Sequence, residues 1–297
     1  MIVQSQLIDD RKLVVVAIRG SQWNKPDWTM NFRLAPTAPL GFLDDPGNAC
    51  HGGFLEAARA MVEPIAAQLW RLIEADPSLV KSSLLFTGHS AGGAVASLLH
   101  SHMLARTVDS ALTDLASGFK RIHCVTFGTP PLSLLPLQAA KTTENNMFLS
   151  FANEGDPIVR ADKAYFTFTS LVKLYTAPAP NTRPPLRQRM SRQKMVSGGP
   201  STANATRATK WPVPDAAFSN AGRLVLLREK PADRKNIEAV QLTDDDLRGV
   251  VPGAFRGVIP SDRRGVVFGD FAMHGMLLYK KRVDELAFAA LSGREAG

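Results

Sequence analysis

The hydrophobic and polar positions at the start of the chain form two runs that look like strands. Residues 2–7 and 12–18 are two strand-like runs separated by Asp9, Asp10 and Arg11, and a short polar turn between two such runs predicts a hairpin. The second run is continuously apolar and rich in β-branched residues, which is typical of a strand buried on both faces. We therefore expect a hairpin at the start of a sheet, with its second strand inside the sheet.

Helical spacing and strand-like runs then follow one another. Apolar residues recur with helical spacing over residues 54–74, where Pro64 predicts a kink or a restart of the helix. Residues 91–106 begin with small residues and continue with helix formers, which predicts a second helix. Four further apolar runs have the length of strands: residues 82–87, 121–127, 147–152 and 223–228. This alternation predicts an α/β fold with a mostly parallel central sheet, helices on both faces and ligands at the carboxyl ends of the strands.

One segment interrupts this order. Residues 176–214 are rich in Pro, Ser, Thr, Gly, Asn and Arg and have little periodicity, which predicts a disordered basic insertion. Residues 163–214 contain nine Lys or Arg and no Asp or Glu, so this stretch carries +9, whereas the whole chain carries +8. The basic character is therefore local, and we do not expect nucleic acid as a partner. We expect residues 1–297 to form a single domain that contains the insertion.

Composition narrows the class of protein. The chain has 297 residues, of which 45% are hydrophobic and 21% charged, as in ordinary globular proteins. No apolar stretch reaches the roughly 18 residues that indicate a membrane-spanning helix, so none is expected. Two cysteines, Cys50 and Cys124, do not make a disulfide framework, and no secretory signal is visible. We expect an intracellular protein, although a secreted chain with a trimmed N-terminus would have the same pattern. No histidine spacing indicates a metal site, and we expect neither a metal nor a cofactor.

The most informative motif follows the strand predicted to end near residue 87. The residues Gly88, His89, Ser90, Ala91 and Gly92 have the spacing of a nucleophile elbow, a tight turn between a strand and a helix. Glycine on both sides leaves no Cβ to obstruct the turn, and the turn lifts the serine hydroxyl out of the backbone. The context of strand, turn and helix predicts that Ser90 is a catalytic nucleophile. The alternative is a glycine-rich loop in which the serine has no role.

A serine nucleophile needs a general base, which in α/β-hydrolases follows it in the chain after an acid. Two histidines come after the helix that Ser90 begins. His123 lies inside a predicted buried strand, so we expect it to be a core residue. His274 lies near the C-terminus, after the last predicted strand, and is the predicted base.

The acid and the donors for an oxyanion complete the predicted site. Asp156 follows a strand in a Gly-Asp-Pro turn and is the predicted acid, with Asp162 and Asp270 as alternatives. One oxyanion donor is the backbone N–H of Ala91, the residue after the nucleophile. The other is expected in the loop after the second strand, where Ser21 offers both an N–H and a hydroxyl.

Six short motifs then carry a resemblance to a known family. They are Arg-Gly-Ser at 19–21, His-Gly-Gly-Phe at 51–54, Gly-His-Ser-Ala-Gly-Gly at 88–93, Thr-Phe-Gly-Thr-Pro at 126–130, Gly-Asp-Pro at 155–157 and the stretch 270–279. In this order, over most of the chain, they resemble the class 3 lipases, the fungal-lipase branch of the α/β-hydrolases. The resemblance implies a serine esterase with Ser90, Asp156 and His274 as its triad and with Ser21 and Ala91 forming the oxyanion hole.

The resemblance also implies a mobile lid at about residues 22–30, directly after the Ser21 loop. Trp23 and Trp28 lie in this segment, and exposed tryptophans would suit activation at a lipid surface; ordinary packing of both rings is the alternative. The chain departs from the secreted fungal lipases in its shorter N-terminal region, its lack of several disulfides and the long interval between Asp156 and His274. In these respects it is more similar to intracellular members.

Together these expectations describe a lipase that hydrolyses acylglycerol esters through an acyl-enzyme on Ser90, with a lipid or ester as its substrate. A phospholipase A1 or a feruloyl-type esterase would use the same triad, and a non-catalytic interaction protein with this fold is a third alternative. The basic insertion further predicts peripheral contact with an anionic lipid surface. A solvated loop without such a role is the alternative.

Overall fold

The computed structural model describes residues 1–20, 35–137, 146–161, 218–230, 233–242, 251–252, 267–268 and 270–293. In chain order its strands are β1 (Ile2–Ile8), β2 (Arg11–Ile18), β3 (Pro36–Thr37), β4 (Cys50–His51), β5 (Ser83–His89), β6 (Arg121–Phe127), β7 (Phe148–Asn153), β8 (Arg223–Lys230), β9 (Asp233–Gln241), β10 (Val251–Pro252) and β11 (Val267–Phe268). The α-helices are α1 (Gly52–Ala75), α2 (Ala91–Met103), α3 (Ala111–Asp114) and α4 (Met276–Leu291). Short 3₁₀ turns are formed by Pro77–Leu79, Ala116–Gly118, Ile158–Arg160 and Phe271–His274.

A seven-stranded sheet with the order β1-β2-β5-β6-β7-β8-β9 organises these elements. In this sheet β2, β5, β6, β7 and β8 pair in parallel, while β1 and β9 close the two edges in antiparallel pairs. The predicted α/β fold with a mostly parallel sheet is confirmed. The strand β9 was not predicted, because its sequence Asp-Arg-Lys-Asn-Ile-Glu-Ala-Val-Gln is largely polar, as suits an edge position.

One face of the sheet carries the main core. Alternate residues of β5 point to this face, and Leu84 and Phe86 are completely buried there. They belong to one apolar cluster with residues of α1 and α2, such as Leu69 and Leu98. Burial of each such side chain contributes roughly 1.5–3 kcal/mol, so this face anchors the strand that leads to Ser90.

The helix α1 runs through Pro64 as one continuous element, so of the kink or restart predicted at this proline the restart is wrong. Proline removes the hydrogen bond to the carbonyl of the residue four positions earlier, here Ala60. Both Pro64 and Ala60 are exposed, and water can therefore bind the carbonyl that the proline leaves without a partner.

The opposite face carries a row of rings near the carboxyl ends of the strands. His89, Phe127 and Phe151 are register partners on three neighbouring strands, and the rings of Phe127 and Phe151 stack with centroids 5.6 Å apart. Tyr279 of α4 lies over this row, with its ring centroid 6.0 Å from that of Phe127. The helix α4, which the sequence pattern did not predict, therefore covers the second face, so the described helices lie on both sides of the sheet.

The carboxyl ends of the parallel strands bring the predicted chemistry to one edge of the sheet. Ser90 directly follows β5, Gly128 follows β6 and Asp156 comes three residues after β7. Across the ranges that the structure describes, we find no helix capable of crossing a membrane.

Candidate active site

Ser90 stands at a strained turn between β5 and α2. Its backbone has φ +58° and ψ −132°, a region that residues with a side chain rarely occupy. The N–H of Ser90 donates to the Phe127 carbonyl at 2.9 Å, and the Ser90 carbonyl accepts from the N–H of Gly93 at 2.9 Å. Neighbouring backbone thus holds the strained residue from both sides, as an elbow requires.

The glycines around Ser90 are required because backbone approaches closely. A Cβ on Gly88 would lie 2.4 Å from the Gly92 carbonyl oxygen, and one on Gly92 would lie 2.3 Å from the carbonyl oxygen of Ile18. The start of α2 therefore packs directly against the end of β2. A Cβ on Gly20 would lie 3.3 Å from the Ser90 Cβ, so the loop that follows β2 passes beside the nucleophile position.

This packing bears on the two predicted oxyanion donors. Ala91 is the first residue of α2, and a first helical N–H has no acceptor within its own helix. Its N–H is therefore available next to Ser90. Ser21 lies outside the described residues, although the chain up to Gly20 leads toward Ser90. Trp23 and Trp28 of the expected lid also lie outside them.

Asp156 is completely buried and accepts hydrogen bonds from three groups. Its Oδ2 accepts from His274 Nδ1 at 2.9 Å and from the Tyr279 hydroxyl at 2.6 Å. Its Oδ1 accepts from the N–H of Ile158 at 2.8 Å, and His274 Nδ1 is 3.1 Å away from it. A buried carboxylate is tolerated only when it is well hydrogen-bonded, and these donors meet that requirement.

Of the two alternative acids, Asp270 does not contact His274 in this way. Asp270 is exposed, and its side chain accepts from the N–H of Ala272 at 2.9 Å, so it caps its own 3₁₀ turn. Asp162 lies outside the described residues. His123, expected in the core, is buried, and its Nδ1 accepts from the Met147 N–H at 3.0 Å. Burial lowers the pKa of His123, as does the charge of Arg121.

The structure brings His274 to Asp156 across 118 positions of sequence. Because a carboxylate only accepts hydrogen bonds, Nδ1 of His274 carries the proton, and Nε2 is left with a lone pair in the neutral ring. The side chain is 18% exposed, so it lies at the surface of the site and not inside the core. An imidazole oriented in this way by a carboxylate can take a proton from a hydroxyl.

Three buried residues that the sequence analysis gave no role connect this pair to the fold. The Tyr279 hydroxyl accepts from the N–H of Asn153 at 2.9 Å, so its own proton points to Asp156. Asn153 donates from Nδ2 to the Met273 carbonyl at 2.9 Å, and its Oδ1 accepts from Arg282 Nη1 at 3.0 Å. Helical spacing of Met276, Tyr279 and Val283 was the available signal for α4.

Burial and the adjacent Asp156 raise the pKa of Tyr279 well above its ordinary value, so its hydroxyl remains a donor. Cys50 and Cys124 are buried free thiols whose pKa values burial raises to about 12, which makes both unreactive near neutral pH. Among the described residues no cluster of His, Cys, Asp or Glu has the arrangement of a metal site.

The strand–elbow–helix unit and the parallel sheet define an α/β-hydrolase. The family model of the class 3 lipases matches residues 15–166, about half of the chain, and the chain belongs to this family. Membership of this family makes it a lipase-like hydrolase. Curated proteins gave no match.

Solved structures of fungal lipases are similar to parts of the chain. A triacylglycerol lipase from Penicillium expansum is 14% identical, with 81% of this chain and 67% of that chain covered and a TM-score of 0.45. A mono- and diacylglycerol lipase from Aspergillus oryzae is 24% identical, with 51% and 49% covered and a TM-score of 0.37. A triacylglyceride lipase from Rhizomucor miehei is 20% identical, with 55% and 57% covered and a TM-score of 0.37. The chain spans about half the length of the last two proteins.

Proposed function

We propose that the chain is a serine carboxylic ester hydrolase that acts on acylglycerols through an acyl-enzyme on Ser90. The observation that carries this proposal is the hydrogen bond of 2.9 Å between His274 and Asp156, at the same sheet edge as a strained elbow serine. Nucleophile elbow, base and acid follow in the chain order of α/β-hydrolases.

In the proposed reaction, His274 Nε2 accepts the proton of the Ser90 hydroxyl as the oxygen attacks the ester carbonyl. Asp156 stabilises the imidazolium that forms. The N–H of Ala91 and a donor from Ser21 stabilise the oxyanion. The imidazolium then protonates the leaving alcohol, and water, deprotonated by the same imidazole, releases the acid and frees Ser90.

Substitution of the nucleophile tests the proposal directly. Ser90→Ala should abolish hydrolysis of a short-chain p-nitrophenyl ester, because it removes the hydroxyl oxygen that forms the acyl-enzyme. Loss of at least about a thousandfold in kcat is expected, with an unchanged circular dichroism spectrum. Ser117→Ala is the matched control: Ser117 is exposed and lies before β6, away from the carboxyl ends of the strands. Undiminished turnover in Ser90→Ala would contradict the proposal.

Acylglycerols are proposed because the chain belongs to a lipase family, whereas the triad itself is shared with other esterases. A panel of triacylglycerol, diacylglycerol, phospholipid and feruloyl ester substrates tests this choice. The highest kcat/KM is expected for an acylglycerol. Preference for a phospholipid would identify a phospholipase A1, and preference for the feruloyl ester would identify a feruloyl-type esterase.

A fluorophosphonate probe separates an enzyme from a non-catalytic lipase-like protein. The probe reacts with an activated serine, so the wild-type chain should be labelled and Ser90→Ala should not. Absence of labelling in the folded wild-type chain would favour a role in interaction without catalysis.

A further inference from the structure

The residue before the proposed nucleophile contacts the residue proposed as the base. His89 is the last residue of β5 and belongs to the ring row on the face covered by α4. Its Nε2 lies 2.8 Å from the backbone carbonyl oxygen of His274, 185 positions later in the chain. Because a carbonyl only accepts, Nε2 of His89 is the protonated nitrogen that donates this hydrogen bond.

The two imidazole rings also pack against each other. The ring centroids of His89 and His274 are 4.5 Å apart, with an angle of 33° between the ring planes. The rings of His89 and Tyr279 form an edge contact, with centroids 5.9 Å apart and an angle of 64° between the ring planes. His89 therefore supports one face of the His274 ring, while Asp156 holds its Nδ1 edge.

Side chains from two strands fix two consecutive carbonyls of the segment that carries His274. Asn153 of β7 donates to the Met273 carbonyl, and His89 of β5 donates to that of His274. The 3₁₀ turn Phe271–His274 is exposed or half-buried, and the N–H of Asp270 before it donates to the Gly155 carbonyl at 2.8 Å. The two side-chain donors tie it to the strands that precede Ser90 and Asp156.

His89 is suited to this position as a neutral ring. Its burial lowers its pKa, the charge of His274 lowers it further, and its hydrogen bond to the His274 carbonyl and the charge of Asp156 act in the opposite direction. A neutral ring does not repel the imidazolium that His274 becomes when it accepts a proton.

We propose that His89 is a positioning residue that sets the orientation of His274 through the His274 carbonyl and the face of its ring. The inference rests on the proposed function, in which His274 is the base. It differs from a purely structural role, in which His89 would only extend the row of Phe127 and Phe151.

Two substitutions at this position separate the donor from the ring. His89→Phe keeps a flat ring in the row but cannot donate to the carbonyl. His89→Gln removes the ring but places an amide N–H2 near the position of Nε2. Phe151→Leu is the control, because it removes a ring from the same row. The ring of Phe151 stacks on that of Phe127.

The measurements are kcat and KM for a soluble p-nitrophenyl ester, and the downfield proton resonance of His274 Nδ1 in the free protein. His89→Phe should lower kcat by about 10- to 100-fold without a change in KM, since small misplacement of a catalytic group has effects of this size. The Nδ1 resonance should broaden or disappear. His89→Gln should recover part of the lost kcat, because it restores the donor but not the ring, and should retain the resonance, and Phe151→Leu should have the kcat of the wild type with a lower Tm.

Wild-type kcat and an unchanged Nδ1 resonance in His89→Phe would overturn the inference. So would an equal loss in His89→Phe and Phe151→Leu, because that result would assign His89 to packing of the ring row. Failure of the proposed function is recognised separately, by turnover that survives Ser90→Ala. The Nδ1 resonance does not depend on a substrate and reports the position of His274 in either case.

Discussion

At the level of single residues, the hydrogen bonds to Asp156 show which groups donate to its buried carboxylate. The Tyr279 hydroxyl accepts from the N–H of Asn153 and must therefore donate to the carboxylate. Ile158 and His274 supply the other donors. The buried charge that orients the proposed base thus depends on a tyrosine from the C-terminal helix.

Tyr279→Phe should weaken the proposed site without removing any member of the triad. Loss of a hydrogen bond to a buried charge typically lowers the free energy of unfolding by roughly 1–3 kcal/mol. We expect kcat to fall by about tenfold, the factor that ~1.4 kcal/mol represents. Thr126→Val is the matched control, because it also removes a buried hydroxyl. The Thr126 hydroxyl donates to that of Ser150 at 3.2 Å. Equal kcat values in the two variants would contradict the assigned role of Tyr279.

His100 makes stability depend on pH. It is completely buried, its Nε2 donates to the Ile122 carbonyl at 3.2 Å, and burial lowers its pKa from 6.5 to about 4. The unfolded chain binds a proton at this residue below about pH 6.5, whereas the folded chain does so only near pH 4. The contribution of His100 to the free energy of unfolding is therefore fully present above pH 6.5. It is lost as the pH falls toward 4, which lowers the free energy of unfolding by up to about 3 kcal/mol.

Urea unfolding at pH 7 and pH 4.5 checks this dependence. His100→Gln retains a donor for the carbonyl of Ile122 but does not titrate. The wild type should lose more free energy of unfolding than His100→Gln between the two pH values, because all other titrating groups are common to both proteins. Parallel pH dependences would show that His100 does not contribute.

At the level of elements, the close contact between α2 and the end of β2 shapes the elbow. Gly92→Ala would place a Cβ 2.3 Å from the carbonyl oxygen of Ile18, so the helix would have to shift. We expect a loss of about 1–3 kcal/mol in the free energy of unfolding, together with reduced kcat. Gly118→Ala is the control, since a Cβ there meets no atom within 4 Å. Wild-type stability and activity in Gly92→Ala would contradict this account of the elbow.

The elements differ in how far their sequences predict them. The central strands and the elbow were predicted well because buried strands have continuous apolar runs and the elbow has a fixed glycine spacing. The helix α4 was missed because its signal was weak: its fully buried residues are Tyr279 and the charged Arg282, so a helical stripe of apolar core residues does not mark it. Its contacts to Asn153 join residues more than 120 positions apart, and no local pattern encodes such a pairing.

At the level of the whole molecule, the sheet edge collects residues from distant parts of the chain, while the excess of positive charge comes from one stretch of the sequence. Residues 163–214 carry nine of the 35 Lys and Arg residues and no acid. The predicted insertion at 176–214 lies outside the described residues. Cations close to an anionic membrane contribute up to about 1 kcal/mol each to binding.

We therefore expect this segment to hold the protein on anionic lipid surfaces. Deletion of residues 182–209 removes six Lys or Arg residues and should weaken binding to vesicles that contain phosphatidylserine. The difference from the wild type should shrink as salt rises, because exposed charges are screened over about 10 Å at 0.1 M. A variant of full length with the same six residues changed to Gln separates charge from length and should bind as weakly as the deletion. Wild-type binding by the Gln variant would contradict an electrostatic role, and so would an equally large loss of binding by both variants on neutral vesicles.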